Sequence, residues 1–247
     1  MTATGVNIVD LEAARERGVP VCNVVGYGAY SVAQHVFALL LALTNRVAEH
    51  NQSVHLGDWS AQRHFSYSLF PLVELAGKTM GIYGLGQIGR QAARIAQAFG
   101  MEVIAHHKHP QRDQMAGVRF VDLDTLFRES DVLSLHAPLT AGNAGLINSE
   151  NLAKMKPTAY LINTGRGGLV DEPALEHALR AGLIAGAGLD VLAVEPPPAG
   201  HPFFNLPNCL ITPHQAWATR EARLRLLEET VENIRAFLRD APRNIVN

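Results

Sequence analysis

Cysteine is almost absent: Cys22 and Cys209 are the only two in 247 residues. Two thiols cannot build a disulfide framework, which excludes the stapled secreted scaffolds and makes a reducing cytoplasm the expected compartment. Both lie in apolar, strand-like runs and read as inert core thiols. Neither sign of charge dominates, with 21 Lys and Arg against 23 Asp and Glu for a formal charge of -2. Such a surface offers no field to nucleic acid or to an anionic membrane. Long hydrophobic runs are missing too. The unbroken apolar run 36–43 is too short to span a bilayer, and no basic, apolar leader precedes it, so neither a membrane span nor secretion is expected. What remains, at 47% hydrophobic and 18% charged residues, is an ordinary globular chain long enough for a sizeable core.

One stretch commits itself to a ligand. Residues 79–83 form a short apolar strand, glycines follow at Gly84, Gly86 and Gly89 in G-x-G-x-x-G spacing, and apolar residues recur at helical spacing through 90–99. Strand, tight turn and helix in this order are the dinucleotide-binding fingerprint. Gly84 permits the turn, Gly86 lets a pyrophosphate approach the backbone, and Gly89 lets the helix sit close to the strand. The N–H groups of the first helical residues, Gln87 and Ile88, and the positive end of the helix dipole face the anion.

Upstream, 10–17 reads as a short helix stopped by Gly18, and 21–25 as a strand. A βα pair without partner strands cannot cover its apolar faces, so further sequence before it is expected. Ser31 is placed to cap a long buried helix with apolar positions at Val32, Val36, Leu39, Leu40 and Leu43. Residues 51–76 follow neither period yet carry Trp59, Phe65, Tyr67, Phe70 and Leu72. This arm is expected to pack on a second subunit, an ordinary long loop over its own domain being the alternative. His55 and His64 within it receive no chemistry. After Gly77, strand-like runs start near Thr79, Glu102, Val132, Ala159, Ile184 and Cys209, with helices between them capped by Asp122, Ser149 and Asp171. That alternation predicts an α/β fold, a doubly wound parallel sheet whose ligands lie beyond the carboxyl ends of its strands. Residues 219–238 read as a helix with Leu224, Leu226, Leu227, Val231, Ile234 and Leu238 on one broad face.

Polar clusters fall at the strand ends. The second strand ends in His106-His107-Lys108-His109-Pro110, where NAD-binding folds carry an acid for the ribose hydroxyls about 20 residues after the glycines. No acid stands there; His107 takes its place and Lys108 follows. A basic pair suits a ribose 2′-phosphate, so the expected coenzyme is NAD(P)(H), with NADP(H) favoured. Metal binding by His106, His107 and His109 is the weaker alternative, because no Cys or carboxylate shares their spacing and adjacent strand residues point to opposite faces. No metal is expected. The third strand ends in His136-Ala137-Pro138, where the backbone of Ala137 and Pro138 lies along the nicotinamide side of the cofactor and His136 reads equally as structural or functional. The next ends in Asn163-Thr164-Gly165-Arg166-Gly167. Thr164 is a candidate coenzyme contact, and Arg166, flanked by glycines, is free to fork onto a carboxylate. Asp190 ends the following strand, placed to accept from a carboxamide. Glu195 follows in a proline-rich turn, and His214 closes the last strand after Thr212 and Pro213.

Singly, Arg166 reads equally as a surface ion pair, Glu195 as a loop charge and His214 as a capped core histidine. Together they suit carbonyl reduction. The arginine holds an α-keto acid, the histidine protonates the carbonyl oxygen as hydride arrives, and the glutamate favours the charged histidine.

At this point the chain resembles the D-isomer-specific 2-hydroxyacid dehydrogenases over essentially its whole length. The similar segments are Ala3-Thr4-Gly5-Val6-Asn7-Ile8-Val9-Asp10, Ser31-Val32-Ala33-Gln34-His35, 84–89, 163–172, Gly188-Leu189-Asp190-Val191 with Glu195-Pro196-Pro197, and Thr212-Pro213-His214. The resemblance implies a Rossmann-type dinucleotide-binding domain with a truncated, flavodoxin-like substrate domain. It sets Arg166, Glu195 and His214 at the family's catalytic positions. It further implies that the backbone N–H groups of Thr4 and Gly5 bind the substrate carboxylate, that Arg166 orients the keto acid, and that Asp190 holds the carboxamide. Within the family, 162–167 and 213–218 look most similar to glyoxylate/hydroxypyruvate reductases and glycerate dehydrogenases. Trp217, present in only part of the family, either narrows the pocket for a small substrate or simply packs on the last strand.

The expected organisation is therefore a remnant of the substrate domain over 1–27, carrying the carboxylate-binding loop, then a dinucleotide-binding domain over 28–218 that includes the 51–76 arm. A helix over 219–247 returns to the substrate domain. Residues 31–76, helix and arm, are the expected homodimer contact. Family members carry most of the substrate domain upstream of the carboxylate-binding loop, so a fragment or a late start codon is expected. The alternatives to a reductase are a catalytically impaired fragment or dinucleotide-sensing protein of the same fold, and another Rossmann enzyme such as a methyltransferase, which would not need this trio.

Overall fold

The structure, a computed structural model, describes residues 1–6 and 8–247. Asn7, in the first of the family-like segments, lies outside the described residues. The chain divides into a larger unit, Ala33–His214, and a smaller one made of Met1–Val32 and Gln215–Asn247.

The larger unit holds one sheet. Its strands are β1 (Thr79–Tyr83), β2 (Glu102–His106), β3 (Val118–Phe120), β4 (Val132–Leu135), β5 (Tyr160–Asn163), β6 (Gly186–Leu189) and β7 (Cys209–Ile211). All pair in parallel, in the order β3-β2-β1-β4-β5-β6-β7. The order reverses between β1 and β4, the point at which crossovers switch faces and open a crevice. The helices of this unit are α2 (Ala29–Asn45), which begins in the smaller unit, α3 (Val47–His55), α4 (Gln87–Ala98), α5 (Leu123–Glu129), α6 (Ser149–Leu152) and α7 (Glu172–Arg180). The smaller unit carries α1 (Leu11–Glu16) and α8 (Arg220–Phe237).

Both faces of the sheet are covered, so its inner strands are apolar without alternation. One core joins Val36, Leu39 and Leu40 of α2 and Ala92, Ala93 and Ala96 of α4 to Met80, Ile82 and Ile162. The other packs Phe127, Leu175 and Leu179 against Leu133, Leu135, Leu161 and Leu189. Three alanines on α4 let that helix lie near the strands, and Gly89 completes the approach: a Cβ there would stand 2.3 Å from the Gly84 carbonyl oxygen. Among the described residues no single helix is long and apolar enough to cross a membrane; α2 and α3 reach that only as a pair bent by 54°.

Several local expectations are corrected. Ser31 lies inside α2 rather than at its cap, because its hydroxyl is drawn to the Ala216 carbonyl at 2.5 Å. Residues 21–25 form no strand; an isolated antiparallel bridge, Cys22 to Ile245, and single backbone bonds to Ala3, Asn244 and Val246 hold the segment instead. Asn148 rather than Ser149 caps α6, its side chain accepting from the Asn151 N–H. β3 has no counterpart in the expected set, since three residues are too few to show a period. The arm is partly helical, because α3 runs into it to His55. The broad apolar face of α8 buries Leu226, while Leu224, Leu227, Val231, Ile234 and Leu238 are exposed. Cys209 is the core thiol expected, its ionisation pushed up to about 12 by burial, but Cys22 is only half-buried. Asp122 and Asp171 do cap their helices, and Asp10, read as the first residue of its helix, is the cap of α1; each accepts a backbone N–H three residues on.

In the smaller unit, buried Asn233 of α8 donates to the Asn23 carbonyl at 2.8 Å and accepts from the Asn244 side chain at 3.0 Å. Thr219 caps α8.

Candidate active site

The parallel register carries one row of residues across the sheet: Ile82 beside Ser134, Ile162, Gly188 and Leu210. Side chains two residues further on fall on the same face, just past the strand ends. There stand Gly84, His136, Thr164, Asp190 and Thr212, every one a residue other than a plain hydrophobe. A parallel sheet thus turns sequence motifs far apart in the chain into one rim.

At one end of the rim, Gly84 takes φ +97°, and a Cβ would lie 2.7 Å from the Ala137 nitrogen. Only glycine fits. Gly86 is the N-cap of α4 and has nothing within 4 Å of where a Cβ would be, so the approach to the helix N-terminus is open. The first turn of α4 holds no acidic side chain to repel an anion. Two polar atoms at neighbouring strand ends, His136 Nδ1 and Thr164 Oγ1, are buried with no partner among the described residues. Buried polar atoms of this kind normally have one, and both wait at the rim. An open glycine turn, a helix N-terminus and two orphaned rim atoms fit a dinucleotide.

The end of β2 differs from its sequence reading. His107 is not a free cation. Its Nδ1 accepts from the Leu85 N–H at 3.1 Å and its Nε2 donates to Asp113 at 2.8 Å, so the ring clasps the glycine turn. Asp113 brings an acid to the end of β2 that spacing along the strand did not reveal. Hydrogen bonding from Arg112, then from His107, holds its carboxyl far below the ordinary range. Arg90 also reaches this loop, donating to the Asp113 and Gln114 carbonyls. His106 is stacked on Tyr83 at 5.8 Å and meets the Val121 carbonyl, and His109 stands edge-on to His107. Among the described residues no three metal-ligating side chains converge.

At the other end, His214 and Glu195 meet: His214 Nδ1 lies 2.6 Å from Glu195 Oε2. Glu195 is itself fixed, its Oε1 accepting from the Leu192 N–H at 2.9 Å, and it precedes a cis peptide bond to Pro196. His214 has φ +50°, rare for a residue with a Cβ, and is held by its N–H bonds to the Asp190 and Thr212 carbonyls. Such strain persists where the surroundings over-determine it. Arg166 joins this group through its neighbour. A Cβ on Gly167 would fall 1.9 Å from the Leu192 carbonyl, so the arginine loop lies directly on the loop that carries Glu195. Asn163, fully buried, shapes the arginine loop by donating to the Arg166 carbonyl and accepting from the Gly165 N–H. The half-buried guanidinium makes one intraloop bond, Nη1 to the Gly165 carbonyl at 2.8 Å.

The remaining expected site residues belong to the smaller unit. Thr4 is pinned by its hydroxyl to the Val24 carbonyl at 2.6 Å and by the Asn23 amide to its own carbonyl. Gly5 follows it. Trp217 packs edge-on to Tyr27 at 6.4 Å.

Residues 37–216 match the family model described as D-isomer specific 2-hydroxyacid dehydrogenase, NAD binding domain. The chain belongs to the D-isomer-specific 2-hydroxyacid dehydrogenases. A hydroxypyruvate reductase of Blautia hydrogenotrophica is 44% identical, over 99% of this chain and 76% of its own length. A crystal structure of a Thermus thermophilus protein superposes with a TM-score of 0.90 at 43% identity, covering all of this chain and 77% of that one. The NADPH-dependent glyoxylate/hydroxypyruvate reductase of Sinorhizobium meliloti, solved with NADP and malonate, gives a TM-score of 0.85 at 34% identity over 96% and 73% of the two chains. As a member of this family the chain is an NAD(P)-dependent oxidoreductase of 2-hydroxy acids, built on a Rossmann-type sheet.

Burial holds His136 neutral, its ionisation lowered from 6.5 to about 4. The unfolded ring takes a proton below about 6.5 and the folded ring only near 4, so this histidine's contribution to stability is intact above the upper value and is lost as pH falls between the two. The full loss is about 3 kcal/mol. In urea unfolding across that window the wild type is expected to weaken more steeply with acid than His136→Gln; parallel slopes would contradict the assignment.

Proposed function

We propose that this dehydrogenase reduces a small 2-keto acid, glyoxylate or hydroxypyruvate, to the D-2-hydroxy acid, with NADPH preferred. The observation that carries the reading is the 2.6 Å pairing of His214 Nδ1 with Glu195. A carboxylate on Nδ1 fixes the ring with a hydrogen on that nitrogen and leaves Nε2 as the proton donor. The nicotinamide coenzyme, when bound, supplies the hydride. His214 Nε2–H then delivers a proton to the carbonyl oxygen, while Glu195 stabilises the charged imidazole before transfer. Arg166 forks onto the substrate and aligns its carbonyl with the ring, a placement that matters more than affinity. The Thr4 and Gly5 N–H groups take the substrate carboxylate, and Trp217 limits its size.

Gly84, Gly86, Gln87, Ile88 and Gly89 would hold the coenzyme's pyrophosphate. Ala137, Pro138 and Thr164 would line its nicotinamide side, and Asp190 would accept from the carboxamide. Lys108 and Arg112, with His107 and Arg90 behind them, form the surface for a ribose 2′-phosphate. In domain terms, 28–218 binds the coenzyme, whereas 1–27 and 219–247 serve the substrate. Trp59, Phe65, Leu69 and Leu72, all exposed, suit a homodimer contact through the 31–76 helix and arm. The cytoplasm, where the coenzyme is available, is the proposed compartment.

Steady-state oxidation of NADPH with glyoxylate or hydroxypyruvate tests the chemistry. His214→Ala is expected to lower kcat on the order of a hundred- to ten-thousandfold while coenzyme binding persists. Coenzyme binding without turnover by either protein would point instead to a dinucleotide sensor. Replacing His107 and Lys108 by Asp and Pro is expected to move preference from NADPH to NADH, and an unchanged ratio of kcat/KM values would refute the phosphate surface. Sedimentation should give a dimer that Phe65→Asp with Leu72→Asp converts to monomer; an unchanged mass would exclude the arm as the contact.

A further inference from the structure

α2 crosses β6 antiparallel, and three steps of that crossing can be followed. A Cβ at Gly186 would meet Leu43 Cδ2 at 3.4 Å, and one at Gly188 would stand 2.9 Å from Leu39 Cβ. One helical turn back along α2, opposite the next outward position of β6, His35 meets Asp190. The steps match because a helical turn advances about 5.4 Å and two strand residues about 6.6 Å. The two glycines let the helix come close enough for the third step to be a polar contact. His35 Nε2 lies 2.9 Å from Thr212 Oγ1 and 3.4 Å from Asp190 Oδ1, and the Thr212 hydroxyl donates to the same Oδ1 at 2.5 Å. Asp190 is fully buried at its side chain.

The proton count follows from the acceptor role assigned to Asp190 above. A carboxylate that accepts from a carboxamide is ionised and only accepts, so the single Thr212 hydrogen is spent on Asp190 and toward His35 the hydroxyl can only accept. His35 must carry its hydrogen on Nε2. We propose that His35 is a positioning residue for the coenzyme: through Thr212 and directly, it keeps Asp190 ionised and fixed so that this carboxylate accepts from the nicotinamide carboxamide. This deepens, and rests on, the assignment of Asp190 given above. The sequence alone gives His35 no task, because there it is one more polar residue at the start of a buried helix.

Two measurements test it. In the coenzyme-free protein, long-range 1H–15N correlation of the His35 ring, assigned by loss of its signals in His35→Leu, is expected to show a protonated Nε2. An unprotonated Nε2 would overturn the proposal. Dissociation constants of NADPH and of its 3-acetylpyridine analogue, which lacks the amide N–H donors, are then read by fluorescence. His35→Leu is expected to weaken NADPH about tenfold and the analogue less than about twofold, whereas His35→Gln, which retains a donor, stays near wild type. Equal weakening of both coenzymes would make His35 merely structural and end the proposal. Asp190→Asn separates the two layers: if it leaves discrimination between the coenzymes intact, the carboxamide assignment fails and takes the proposal with it. If Asp190→Asn abolishes discrimination and His35→Leu does not, only the role of His35 fails.

Discussion

Parallel hydrogen bonding across seven strands is the constraint on which the site depends. Each strand must enter from the same side, so each leaves at the same side, and helices in most of the connections bury what lies between. Polar residues that cannot be covered on the faces collect at the exits. The register then decides which of them are neighbours: Gly84, His136, Thr164, Asp190 and Thr212 follow one row of paired residues, although they come from five separate parts of the chain.

Beyond the rim, the pairing of His214 with Glu195 is held at both ends by backbone groups. Leu192 donates its N–H to Glu195, Glu195 meets His214, and His214 is held in a left-handed conformation by two carbonyls at strand ends. Gly167 presses the arginine loop onto the carbonyl of that same Leu192. Apart from the Glu195–His214 contact itself, these links end on peptide groups of the sheet or of a loop leaving it, which is a stiffer support than a chain of exposed side chains.

Much of this was legible because its cause is local or periodic. The glycine turn is readable since φ +97° at Gly84 and the tight fit at Gly89 admit no other residue. Strand starts were readable to within two residues because strands buried on both faces are continuous apolar runs. The illegible parts depend on partners distant in sequence. Ser31 has the composition of a cap and is used instead for a bond to residue 216. Asp113 reaches the end of β2 from a turn, so no count along β2 finds it, and with Leu85 it engages both ring nitrogens of His107. The task of His35 depends on glycines in β6, a strand about 150 positions later, whose significance appears only when the helix is laid upon them. The apolar stripe of α8 obeys the helical period, yet period says only which residues share a face, not whether that face is covered.

The double engagement of Glu195 has a consequence for how the site can vary. One oxygen reads the height of a peptide three residues earlier and the other sets the tilt of an imidazole, so the carboxylate works as a gauge block between loop and ring. Lengthening the chain between Leu192 and Glu195 by a single residue would mis-set that gauge, whereas the exposed Ala199 and Gly200 just after the prolines answer to neither oxygen.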